Sequence, residues 1–138
     1  MVDCTSLENW SARKGTVSSN LTLSVPIFMP RISLIIPARN EVESIGATVR
    51  NCHTALLAEA ISHEIIVIDD GSTDTTRDVV RVLSQEIPCL ILISRTGMPG
   101  FGSAVRTGLT YAKGEYIVPV MADGSDDPSD LICYSLKV

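Results

Sequence analysis

Long apolar runs, a basic surplus and closely spaced cysteines are all missing from this sequence. No stretch approaches the ~20 apolar residues of a membrane-spanning helix, and the N-terminus lacks the basic region and long apolar core of a secretory signal. Lys and Arg number 11 against 16 Asp and Glu, a net charge of -5. That balance argues against a general nucleic-acid binder, because phosphate neutralisation needs a cationic surplus. Cys4, Cys52, Cys89 and Cys133 form no Cys-x-x-Cys pair, so neither a zinc nor a redox motif is indicated and reduced thiols are expected. His53 and His63 stand apart from the acidic clusters and read as surface or local hydrogen-bonding residues; no Ser/His/Asp or Cys/His arrangement stands out. These absences point to a cytoplasmic protein.

What is present is ordinary globular composition, 45% hydrophobic and 20% charged over 138 residues, enough for one domain with a core. Residues 1–29, rich in Ser, Thr and Asn, read as a flexible extension. From residue 30 strand and helix signals alternate. "RISLIIP" (31–37), "EIIVID" (64–69), "CLILIS" (89–94) and "YIVPV" (116–120) read as strands, with Pro119 a local irregularity in the last. Val42, Ile45, Val49, Cys52 and Leu56, at spacings of 3, 4, 3 and 4, predict an amphipathic helix. Ser72, Thr73 and Asp74 offer caps for a second helix over 74–85, and Ala104, Val105, Leu109 and Ala112 mark a third. Continuous apolar strands alternating with helices imply an α/β fold, a mostly parallel sheet with helices on both faces. The last segment, "PSDLICYSLKV", starts as a helix with Pro128 near its first turn and stops without a cap, so the domain over 30–138 is expected to be cut short at its C-terminus.

In such sheets ligands gather beyond the carboxyl ends of the strands. "ARNE" follows the first strand, "DDGSTD" the second and "ADGSDD" the fourth. Carboxylates held together repel, raise one another's pKa and favour a bound cation; oxygen-rich clusters suit Mg²⁺ or Mn²⁺. Two readings stand side by side. Asp123, directly after a strand, reads as a ligand, whereas helix capping or plain solvation is preferred for Asp126, Asp127 and Asp130. Asp70 reads as a ligand contact with Asp69 supporting it. Arg39 and Glu41 reach the same edge, although Asn40 and Glu41 would also serve to start a helix. "GMPGFGSAVRTG" is neither a P-loop nor a dinucleotide fingerprint, yet its backbone N–H groups would suit a phosphate or sugar.

Taken together, "SLIIPARNE", "EIIVIDDGSTDTT", "GFGSAVRTGLTYAKGEYIV" and "MADGSDDPSDL" resemble the family 2 glycosyltransferases, most of all the dolichyl- and polyprenyl-phosphate sugar transferases. The resemblance covers residues 31 to about 135 and implies the nucleotide-binding half of a GT-A (Rossmann-like) fold. It implies transfer of a sugar from a nucleotide-diphosphate donor with Mg²⁺ or Mn²⁺, to an acceptor such as a dolichyl or polyprenyl phosphate at a membrane surface. Carried over by motif, Pro37, Arg39 and Glu41 would line the nucleotide, Ile68 and Asp70 would hold base and ribose, and Ala122 and Asp123 would meet the diphosphate. The implied metal set is Asp123, Ser125 and Asp126. No catalytic base is indicated. One departure is visible: the family's Asp-Ala-Asp is Met121-Ala122-Asp123 here, and a thioether suits a hard cation poorly. Two other readings compete, a receiver-like phospho-accepting module and a nucleotide-binding fragment without turnover.

Overall fold

A computed structural model describes residues 29–136; the expected N-terminal extension lies, apart from Met29, outside the described residues. Strand and helix alternate throughout: β1 (Ile32–Ala38), α1 (Ile45–Ala58), β2 (His63–Asp69), α2 (Thr76–Glu86), β3 (Leu90–Ser94), α3 (Phe101–Tyr111), β4 (Tyr116–Pro119) and α4 (Pro128–Leu136). The strands form one four-stranded sheet in the order β3-β2-β1-β4, every pair parallel. This is the α/β architecture that the apolar runs predict. The order runs outward from β1 through β2 to β3 and then returns to the far side of β1. That is the start of the 3-2-1-4 dinucleotide-type winding and not the 2-1-3-4-5 order of a receiver-like module, so the receiver reading fails on topology.

Successive side chains on a strand face opposite ways. Leu34, Ile36, Ile65 and Val67 pack with Ile45, Val49 and Leu56 of α1, Val80 and Leu83 of α2 and Leu131 of α4. Ile35, Ile66 and Ile68 pack on the opposite face with Ala104 of α3. The reversal of direction after β3 is what sends α3 to that face, since crossovers keep one hand. A Cβ at Gly108 would stand 2.5 Å from Ile35 Cγ2, so the glycine lets α3 lie close against β1. Pro119 is explained by its place on an edge strand: Tyr116 donates to Arg31, just before β1, and Val120 to Ile35 within it, and residue 119 faces the free side, where no ladder N–H is needed.

Helix starts differ from the periodicity by a few residues. Ser44 and Ile45 both donate to the Glu41 carbonyl, so a turn over 42–44 precedes α1. The cap of α2 is Thr75, one residue beyond the expected Ser72–Asp74 set, and its side chain makes no cap bond; Asp74 instead accepts the Thr76 N–H and hydroxyl.

Two polar groups are buried at the amino-terminal end of the sheet. Glu64 accepts from the Ser33 hydroxyl and, at 2.7 Å, from the Lys113 N–H, while Ser33 Oγ accepts the Gly114 N–H at 2.7 Å. His63, fully buried, donates Nδ1–H to the Ile61 carbonyl at 2.8 Å, which leaves Nε2 to accept from His53 Nδ1–H at 2.9 Å. The expectation of local hydrogen bonding holds for both histidines, but His63 is a core residue and not a surface one. Cys52 and Cys133 are free thiols as expected, whereas Cys89 is disulfide-bonded; residue spacing carried no sign of that pairing.

Candidate functional site

Where the winding reverses, between β1 and β4, the carboxyl ends of the strands leave a crevice. A cleft of about 250 Å³ lies there, with Pro37, Ala38, Arg39 and Glu41 from the end of β1 and Asp70 from the end of β2. Met121, Ala122 and Asp123 beyond β4 and Pro99, Gly100 and Phe101 at the start of α3 complete it. Six of the seven residues expected to contact a nucleotide sugar thus share one cleft. Ile68 does not line it; its side chain is packed in the core with Ile35, Ile66 and Ala104.

Each strand tip is held by different bonds. Asp69 is fully buried and accepts from Arg77 Nε at 2.9 Å and Nη2 at 2.6 Å, and from the Ser72 N–H at 3.3 Å. Asp70, its neighbour, lines the cleft, but one oxygen accepts from Arg95 and the other from the Gly100 N–H at 2.7 Å. Arg95 also donates to the Met98 carbonyl at 2.9 Å. Asp70 therefore anchors the glycine-rich loop as a wall of the cleft. Arg95 carried no sequence signal beyond following a strand.

Beyond β4, Thr48 Oγ1 of α1 lies 3.0 Å from the Ala122 carbonyl and 2.9 Å from the Ser44 carbonyl, so its one proton is shared between the loop and its own helix. Gly124 has φ +78, a left-handed turn that lets the Ser125 N–H reach Asp123 Oδ1 at 2.9 Å. Hydrogen bonding from the Ser125 hydroxyl and amide holds the Asp123 carboxyl below the usual carboxylate range, so this exposed group is charged at neutral pH. Three of the aspartates accept different backbone amides. Asp126 accepts the Met121 N–H at 2.7 Å, and Asp127 accepts the Ser129 N–H at 2.9 Å at the start of α4, which lowers its pKa as well. Asp126, Asp127 and Asp130 line a second cleft with Ile117–Val120 and Leu131, separate from the first. Mutually raised pKa values, expected from the run of aspartates, give way at Asp123 and Asp127 to lowered ones, because each carboxylate has its own local donors.

Of the implied metal set, Asp123 faces the first cleft, Ser125 turns its amide onto Asp123, and Asp126 is directed to Met121 and the second cleft. Mg²⁺ and Mn²⁺ are commonly held by one or two carboxylates together with substrate phosphates. One charged, exposed, hard-oxygen donor at the cleft fits that mode; Met121 adds nothing to it. Among the described residues the His/Cys/Asp/Glu group whose ligand atoms converge, within 4.8 Å, is His53, His63 and Cys89, at the opposite end of the strands. It is accounted for by the histidine pair and the disulfide-bonded Cys89.

A parallel sheet of this winding with a polar cleft at its reversal point is a Rossmann-like arrangement, and it matches GT-A neighbours. The chain belongs to glycosyl transferase family 2, whose model matches residues 33–132. It is 28% identical over 104 residues to a dolichyl-phosphate beta-glucosyltransferase of Trichomonas vaginalis, covering 72% of this chain and 32% of that protein. A prophage bactoprenol glucosyl transferase homolog of Escherichia coli is 31% identical over 107 residues, covering 78% and 35%. Among solved structures, the mannosyltransferase PcManGT of Pyrobaculum calidifontis, in complex with GDP-Man and Mn²⁺, matches with a TM-score of 0.60 and 28% identity over 87% of this chain and 35% of its own. The chain spans about a third of the length of these curated relatives. No helix among the described residues is long and apolar enough to cross a membrane.

Proposed function

We propose that the cleft between β1 and β4 binds the nucleoside diphosphate of a sugar donor, and that the whole protein transfers the sugar to a polyprenyl- or dolichyl-phosphate acceptor. The observation that carries this reading is the convergence of Glu41, Asp70 and Asp123, from three different strand ends, on one cleft. Relatives named for dolichyl-phosphate and bactoprenol glucosyl transfer, and a neighbour solved with GDP-Man and Mn²⁺, support it.

In this reading Pro37, Arg39 and Glu41 flank the base and ribose. Asp70 holds the glycine-rich wall through Arg95 and Gly100, so a ribose or base hydrogen bond to Asp70 competes with those partners. Asp123 would hold Mg²⁺ or Mn²⁺ together with the donor phosphates. Such a cation supplies positive charge against the departing nucleoside diphosphate. A phosphate acceptor is already an anion: its oxygen forms the new bond to the anomeric carbon as the bond to the donor diphosphate breaks, and no proton has to be removed.

Calorimetric titration with GDP, UDP and their sugar conjugates, with and without Mn²⁺, tests the donor half of the proposal. Binding of at least one nucleotide, strengthened by Mn²⁺, is expected. Asp123→Asn keeps an acceptor for the Ser125 N–H but loses the charge, and is expected to weaken Mn²⁺-dependent affinity about tenfold or more. Absence of binding in every condition overturns the proposal, and an unchanged metal response in Asp123→Asn moves the cation elsewhere.

A further inference from the structure

Asn40 is exposed and sits between two cleft residues, Arg39 and Glu41, with φ +54. A left-handed residue in a tight turn is often glycine, and asparagine is the usual alternative. Here the side chain has a second task that glycine could not perform. Its Oδ1 accepts the Thr73 N–H at 2.7 Å, the Thr73 hydroxyl at 3.2 Å and the Asp74 N–H at 3.3 Å. Its own N–H donates to Ser72 Oγ at 3.1 Å. The next two residues continue the seam: Glu41 N–H donates to Thr76 Oγ1 at 2.9 Å, and Val42 N–H to Asp74 Oδ2 at 3.4 Å. The loop after β1 and the loop after β2 are thus stitched together over consecutive residues, and Asn40 is the one side chain of the first loop that bonds the backbone of the second.

We propose that Asn40 is a positioning residue: it clasps the β1–α1 loop to the β2–α2 loop and so presents Arg39 and Glu41 to the cleft. The effect on ligand binding rests on the nucleotide reading above; the clasp itself does not. The left-handed backbone turns Asn40 towards residues 73 and 74, and the residues on either side of it line the cleft. Without the clasp, each loop must find its bound conformation separately, and ligand contacts made through Arg39 and Glu41 lose their alignment.

Two substitutions separate the backbone role from the side-chain role. Asn40→Gly keeps the left-handed conformation and removes the acceptor, whereas Asn40→Asp keeps both. Solvent-exchange NMR on the chain reads the amides of Thr73, Asp74, Glu41 and Val42, and titration with GDP and UDP in Mn²⁺ reads affinity. In Asn40→Gly the melting temperature is expected to stay close to that of the unsubstituted chain. All four amides exchange faster, by about tenfold at Thr73 and Asp74, and nucleotide affinity falls about tenfold. Asn40→Asp restores slow exchange. Unchanged exchange at Glu41 and Val42 in Asn40→Gly overturns the proposal, and so does faster exchange with undiminished affinity. If the unsubstituted chain binds no nucleotide while the four amides respond as expected, the clasp stands and the nucleotide reading fails.

Discussion

Gly114→Ala lowers the melting temperature of this domain by roughly 10 °C, the shift expected for a loss of about 2–3 kcal/mol in about 100 residues. The cause is a contact that only glycine permits. A Cβ at position 114 would stand 2.6 Å from both the Ser33 N and Ser33 Oγ and 2.9 Å from the Ile32 carbonyl carbon. Two of those atoms are backbone of the central strand β1, which has helices on both faces and strands on both edges, so the turn must move instead. Moving it breaks the Gly114 N–H bond to Ser33 and disturbs the Lys113 N–H bond to Glu64, a carboxylate only 4% exposed. A buried carboxylate that loses a donor is more costly than an absent one. Gly102→Ala in α3 is the control, because a Cβ there meets nothing within 4 Å. Thermal unfolding followed by circular dichroism distinguishes them; equal melting temperatures for Gly114→Ala and the unsubstituted chain would refute the packing account.

Acid destabilises the fold through His63 well before most carboxylates titrate. Burial pushes the His63 pKa down to about 4, aided by the neighbouring His53 and opposed by the bond to the Ile61 carbonyl. An unfolded histidine titrates near 6.5. Above that value both states are neutral and the stability is complete. As the pH falls from 6.5 towards 4, the unfolded chain takes up a proton that the folded chain resists, and up to about 3 kcal/mol is lost. Protonating His63 also reverses the 2.9 Å contact with His53: Nε2–H becomes a donor, and His53 must change tautomer for its Nδ1 to accept. Urea unfolding between pH 7 and pH 4.5 is expected to show a falling midpoint in the unsubstituted chain and a flatter profile in His63→Gln. A flat profile in the unsubstituted chain would show that His63 accepts its proton without cost.

The sheet was legible in the sequence because burial on both faces leaves the middle of a central strand apolar: every residue of β2 is buried, and Ile65–Ile68 form an unbroken apolar run between Glu64 and Asp69. The position of the cleft followed from the rule for parallel sheets, and Glu41, Asp70 and Asp123 do share it. What was not legible is where each polar side chain finds its partner. Glu64 depends on residues 31 and 49 positions away, and Thr48 on a carbonyl 74 positions away. No spacing rule reaches that far. The aspartate run misled for a related reason. Carboxylates a few residues apart in a chain turn towards whichever N–H the local backbone offers, and here those are the amides of Ser125, Met121 and Ser129. Asn40 reads in the sequence as a possible helix start; only the fold brings Thr73 and Asp74 within its reach.

The central claim is that a cation and a nucleotide meet at the reversal point between β1 and β4. Paramagnetic broadening of backbone amides by Mn²⁺, recorded with and without UDP or GDP, locates the ion directly. Nucleotide-dependent broadening centred on Ala122, Asp123 and Glu41 is expected. Broadening centred on Asp127 and Asp130, or on His53 and His63, would contradict it.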